Sequence, residues 1–197
     1  MTALASPERD AELMVRVREG DQTSFGLLLE KHRGPVVHFL YRMVQNQAVA
    51  EELGQEVFLR VYKSRETYEP TAKFRTWLFR ISTHVALNWL RDGRNRQVRT
   101  SIDQGMEEEG PRREIPAGGP TAEQELVNRD RVREIRQAVE ALPAKQRAAV
   151  LMHKYEEMEY SQIAKALGCS ESAVKSLLFR AYETLRARLA HIVEGRS

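Results

Sequence analysis

The chain has 197 residues, 42% of them hydrophobic, which suits one large domain or two small ones with real cores and argues against disorder throughout. Lysine and arginine total 31 against 28 acidic residues, so the net charge of +3 is too small to identify a nucleic-acid partner, and local clustering has to do that. The single cysteine, Cys169, rules out an internal disulfide, and no basic leader or membrane-length apolar run is present, so a soluble cytoplasmic protein without membrane insertion is expected.

Ser6-Pro7 suits a helix start, with Leu13, Met14 and Val17 inward and Gly20 as the stop. Asp21 can cap a longer helix whose stripe runs Phe25, Leu28, Leu29, His32, Val36, Phe39, Leu40 and Met43. Gly34-Pro35 should kink or briefly break it, because proline lacks an N–H and disfavours helical geometry in the residue before it. A third helix, Ala48 to Ser64, buries Ala50, Leu53, Val57 and Val61. Its other side mixes Glu52, Gln55, Glu56, Arg60 and Lys63 with Phe58 and Leu59; apolar residues among charges on an exposed face suggest docking rather than simple solvation.

Residues 65–73, RETYEPTAK, have loop chemistry. A fourth helix, Phe74 to Asp92, follows, with Phe74, Trp77, Leu78, Ile81 and Val85 on one side and Gly93 closing it. Its other side carries Arg75, Arg80, His84, Asn88 and Arg91, with Phe79 and Trp89 at the margins. Cations beside aromatics suit a strand-separating or single-strand-binding surface, where phosphates meet charge and bases stack on rings; for Trp77 plain packing is the better reading.

Residues 95–120 turn to glycine, proline and charge without helical period, and read as an extended linker. Over 101–125 seven acidic side chains face two basic ones, a net of −5, whereas 89–100 carries four arginines against one aspartate. Thr121 and Gln124 have capping-box spacing at the head of a helix that carries Leu126, Val127, Ile135, Ala138 and Val139 up to Leu142. Pro143 opens the next helix, Ala144 to Tyr155, and a short connection leads to Tyr160.

From Tyr160 to Leu189 the pattern is a helix-turn-helix. Tyr160, Ile163, Ala164 and Leu167 hold helical spacing, Gly168 supplies the positive φ of a helix end, and Ser170 can cap the second helix. Val174, Leu177, Leu178, Ala181, Leu185 and Leu189 form its inner face, leaving Glu171, Ser172, Lys175, Ser176, Phe179 and Arg180 outside. Such a pair reads a DNA major groove with the N-terminal half of its second helix; the bland alternative is a helix pair inside a bundle. Cys169, in the turn, reads as a small buried apolar side chain. The five histidines, His32, His38, His84, His153 and His191, have no partner at metal-ligand spacing, so neither metal nor cofactor is expected.

The order of these parts resembles a bacterial RNA polymerase sigma factor of the sigma-70 family, extracytoplasmic-function group. AEELGQEVFLRVYKS at 50–64 is similar to the family's polymerase-binding helix, FRTWLFRISTHVALNWLR at 74–91 to its promoter-melting helix, and 142–189 to its upstream-element reader. The resemblance implies an all-α protein of two small helical domains: 1–94 for core polymerase binding, proximal promoter recognition and melting; 95–120 as a flexible acidic linker; and 121–197 as the helix-turn-helix domain. It implies core polymerase contacts from Glu52, Gln55, Glu56 and Phe58, and proximal-element contacts from Lys73, Arg75, Arg80, His84, Asn88 and Arg91. Upstream-element contacts would come from Ser172, Lys175, Ser176, Phe179 and Arg180. His84 stands where the family has asparagine, and Glu159 where it often has a hydroxyl cap. The implied partners are core RNA polymerase, double- and single-stranded promoter DNA, and an anti-sigma factor, with no enzymatic activity. A stand-alone operator-binding regulator is the alternative, although the N-terminal half has neither a ligand-binding α/β pattern nor a heptad seam. An enzyme acting on DNA lacks clustered carboxylates or an activated nucleophile.

Overall fold

The computed structural model describes residues 7–71, 73–97 and 122–194, and among these every regular element is helical. In chain order they are α1 (Pro7–Arg18), α2 (Gln22–Val44), α3 (Gln47–Lys63), a 3-10 turn (Arg65–Thr67), α4 (Phe74–Gln97), α5 (Ala122–Glu140), α6 (Ala144–Lys154), α7 (Tyr160–Leu167) and α8 (Glu171–Glu194). The expected all-α class is therefore observed.

Local chemistry accounts for the helix ends. Gly20, at φ +98°, turns the chain out of α1, and the Asp21 carboxylate accepts from the Thr23 and Ser24 N–H groups and the Ser24 hydroxyl to start α2. Asn46 caps α3 by accepting from the Val49 N–H at 3.0 Å. Contrary to the break allowed for at Gly34-Pro35, α2 runs through both residues. They lie on its solvent side, where water can satisfy the Lys31 carbonyl that Pro35 leaves without a donor. Helices α2 and α3 approach closely at Gly54: a Cβ there would lie 2.9 Å from Val37 Cγ2.

Two expectations are corrected. Helix α4 does not stop at Gly93 but continues to Gln97; one glycine costs about 1 kcal/mol in a helix, and the arginines and glutamine after it are good helix formers. The linker expected from Asn95 thus begins later, and its remainder, with Thr121, lies outside the described residues. In α5 Ala138 is buried, as is Leu142 just beyond its end, whereas Ile135 is 41% exposed and Val132 58%. The side chains of Leu126 and Val127 lie outside the described residues.

The two halves touch. Helices α6 and α7 lie against α4, and α6 also meets α2. The buried side chains form one continuous cluster running from Met14 through Phe39 and Phe79 to Leu151, Ile163 and Val174. Arg147, 7% exposed, donates to the carbonyls of Met43, Glu140 and Leu142, placing one cation against the C-terminal ends of both α2 and α5.

Candidate nucleic-acid interface

The helix-turn-helix is built as its residues require. Gly168 takes φ +64° and its N–H returns to the Ala164 carbonyl, as does that of Cys169 at 3.0 Å, so α7 ends in one tight turn. At the other end of α7, the Gln162 side chain accepts from the Glu159 N–H at 2.9 Å, one arm of a capping box. Ser170 Oγ accepts from the Ala173 N–H at 3.2 Å and starts α8. Ile163, Ala164, Val174, Leu178 and Ala181 interlock at the crossing, and Cys169 is half-buried beside them.

That packing settles what the second helix presents. Ser172, Lys175, Ser176, Phe179 and Arg180 are all exposed, with Phe179 at 68%, the most open large apolar side chain described. Ser176 Oγ donates to the Ser172 carbonyl at 3.0 Å, which keeps its lone pairs outward. Two cations, two hydroxyls and an aromatic ring on the first turns of an uncovered helix are chemistry of the kind a duplex groove accepts, since phosphate and guanine take cations and a thymine methyl takes an apolar ring.

The second surface lies on α4. Lys73, Arg80, His84, Asn88 and Arg91 are exposed. From Arg80 onward the spacings of three and four align them on one stripe. Arg75 is set apart: five residues before Arg80 rotates it by about 140° around the helix. Its guanidinium is bonded to the Glu156 carboxylate at 2.5 Å, across to the C-terminal half. The aromatics expected at the margins divide. Phe79 is fully buried, edge-on to Phe39 at 5.3 Å, and is unavailable for stacking on bases, whereas Trp89 is partly exposed. Trp77 packs against Tyr68 with ring centroids 4.9 Å apart, as the packing reading required.

Tyr68 was not singled out from its loop-like surroundings. It is 1% exposed and holds residues 65–73 down through Phe74 and Trp77, while Arg18 donates to its carbonyl. An aromatic inside an otherwise polar loop was the available signal.

The third surface, on α3, needs one correction. Glu52 and Gln55 are exposed, and Glu56 is half-exposed and paired with Arg60 at 2.7 Å. Phe58, however, is 5% exposed: it lies one turn from Gly54 and three residues from Val61, on the face turned to α2 and α4. The apolar residue actually standing among the charges is Leu59, at 54%.

Beneath these surfaces, burial and a short ionic chain set one histidine apart. His32 Nε2–H donates to Asp10 Oδ2 at 2.9 Å, while Asp10 Oδ1 accepts from Lys31 at 2.6 Å. Burial holds His32 below the usual imidazole range, outweighing the pull of Asp10 toward the charged form. Among the described residues no group of histidine, cysteine and carboxylate side chains could hold a metal, and no helix is long and apolar enough to cross a membrane. A groove of about 1070 Å³ lies between α2 and α5, with Leu29, Val37, Val132, Ile135, Val139 and Tyr155 on its walls.

Comparison with known proteins identifies the family of both halves. The profile for Sigma-70 region 2 matches residues 28–96, and that for Sigma-70, region 4 matches 132–185, together more than half of the chain. The extracytoplasmic-function (ECF) RNA polymerase sigma factor SigW of Bacillus subtilis is 27% identical over 183 residues, covering 90% of this chain and 98% of the relative. The ECF sigma factor SigE of Mycolicibacterium smegmatis is 33% identical over 174 residues, covering 87% of this chain and 65% of the relative. In fold, the chain is similar to the sigma factor RpoE in its co-crystal structure with the anti-sigma factor NepR from Bartonella quintana. That likeness has a TM-score of 0.63 at 22% identity and covers 84% of this chain and 96% of that one. A self-sufficient operator-binding regulator is not favoured by these matches. The chain belongs to the sigma-70 family, as a transcription-initiation sigma factor of the extracytoplasmic-function group.

Proposed function

We propose that the chain docks on core RNA polymerase through the outer face of α3, with Glu52, Gln55 and Glu56 supplying charge complementarity and Leu59 the apolar contact. The exposed α4 stripe, Arg80, His84, Asn88 and Arg91, with Lys73 at its head, engages the proximal promoter element and its separated strand. His84 offers an imidazole where the family has asparagine, which changes the donor pattern at one base. Helix α8 reads the upstream element through Ser172, Lys175, Ser176, Phe179 and Arg180. The units are residues 1–94 and 121–197, joined by the acidic segment between them. The protein acts in the cytoplasm and carries no enzymatic activity. An anti-sigma protein is a further partner, and the open groove between α2 and α5, with Val132 and Ile135 uncovered, is a suitable seat for its apolar helix face.

The observation that carries this reading is the exposure of all five outward residues on α8, directly behind a well-formed helix-turn-helix. It is tested by transcription in vitro with and without core polymerase. Promoter-specific transcripts that need both components are expected, with start sites sharing an upstream hexamer. Cleavage of DNA by the chain alone, or tight duplex binding that polymerase does not alter, would overturn it.

A further inference from the structure

A half-buried polar cluster inside the helix-turn-helix lies outside the three exposed surfaces. His153, in the last turn of α6, stands between Tyr160 at the head of α7 and Tyr182 in the middle of α8, with ring centroids 5.5 Å and 6.3 Å away. Its Nδ1 is 3.0 Å from the Tyr182 hydroxyl. Burial, and then the neighbouring Tyr160 phenol, pushes Tyr182 above its ordinary range, so the hydroxyl keeps its proton and can donate to the imidazole nitrogen. One side chain of α6 therefore touches both helices of the reader.

The place of Tyr182 on α8 gives this bond its consequence. Lys175, Phe179 and Tyr182 follow one another at spacings of four and three, so they share one stripe. The stripe is open at Lys175 and Phe179 and meets α6 at Tyr182. Apolar contacts beneath α8, from Val174, Leu178 and Ala181, hold it to α6 and α7 without a preferred direction, whereas a hydrogen bond has one. A rotation of about 10° around the helix axis moves side-chain tips, about 5–6 Å out, by about 1 Å, which exceeds the spread of good hydrogen-bond lengths. The His191–Glu134 pair, which joins α8 to α5 farther along, is exposed and holds weakly. We propose that His153 and Tyr182 are positioning residues for recognition of the upstream element: the bond between them fixes the rotation of α8, and with it the places of Lys175, Phe179 and Arg180 in the groove.

This rests on α8 being the upstream-element reader, and two measurements keep the two ideas apart. The first is the affinity of the full chain with core polymerase for a mapped promoter duplex, divided by that for the same duplex with its upstream hexamer scrambled. Tyr182→Phe removes one oxygen and keeps the ring, and should lower this ratio about fivefold, the worth of one hydrogen bond. His153→Leu should do the same, and the double change should go no lower than either alone; additive losses would overturn the pairing. His153→Asn should keep the parent ratio, because its amide oxygen stands close to the position of Nδ1 and accepts from Tyr182 without supplying a ring. If packing were the whole role, the leucine variant would be tolerated and the asparagine variant harmed, and that pattern would overturn the proposal. The second measurement, backbone residual dipolar couplings of the free chain, gives the orientation of α8 against α6 without DNA. Tyr182→Phe should shift the couplings of α8 relative to those of α6; identical couplings would overturn the positioning role whatever the DNA result. Lys175→Ala tests the reading beneath it: an unchanged ratio there would remove α8 from the upstream element and leave the couplings to decide the bond.

Discussion

Phe58 and Leu59 are adjacent in sequence and opposite in consequence. Phe58 is 5% exposed within the α2–α3–α4 core, and Phe→Ala at such a site costs about 3–5 kcal/mol in lost burial and cavity formation. Leu59 is 54% exposed, so Leu59→Ala removes little from the folded chain. If α3 docks on polymerase, the uncovered half of Leu59 becomes buried there. Complete burial of a leucine is worth about 1.5–3 kcal/mol, so half of it is about 1 kcal/mol, or roughly a fivefold weakening of binding. Urea denaturation gives the stabilities, and competition for core polymerase against a labelled parent chain gives the affinities. The expected pattern is crossed: Phe58→Ala unfolds at much lower urea, while Leu59→Ala keeps its midpoint and loses affinity. Equal destabilisation by both changes would refute the burial argument. Undiminished polymerase affinity in Leu59→Ala would remove α3's outer face from the interface.

Two other outcomes follow from the same geometry. Lys175→Ala and Arg180→Ala should each weaken recognition of the upstream element by about 1–3 kcal/mol if they contact bases. Polymerase binding should stay at the parent level, measured by DNA competition and by co-elution with polymerase; parallel loss of both activities would argue against separate surfaces. Because burial lowers the pKa of His32 in the folded chain, the folded state resists protonation there. Its contribution to stability is therefore complete above the unfolded value of about 6.5 and is lost as pH falls from there through the lower folded value. Urea midpoints measured from pH 7.5 to pH 5 should fall, and should fall less steeply in His32→Gln; identical slopes would dissociate His32 from the acid sensitivity.

Most of the helical order was legible from residue spacing alone, because period and capping are local properties. Asp21, Gly168 and Ser170 act within four residues of themselves, and on α2 Leu28, His32, Val36, Phe39 and Met43 repeat at intervals that only a helix places on one side. The exposed face of α8 was legible for the same reason: its inner residues left only one other direction.

What local pattern could not decide is which way a helix with two partly apolar sides turns, and what lies against it. On α3 that depends on the close approach at Gly54 to Val37 of α2, which rotates Phe58 inward and Leu59 out. On α5, Ile135 has helical spacing for a core position, yet the groove beside α2 leaves it open. Arg75 meets Glu156 across 81 positions of chain, and Arg147 reaches Met43 across 104. Nothing in either neighbourhood encodes those meetings. They arise because two amphipathic bodies on one chain pack together, and only that packing in three dimensions brings Arg75 to a carboxylate and Arg147 to a backbone carbonyl.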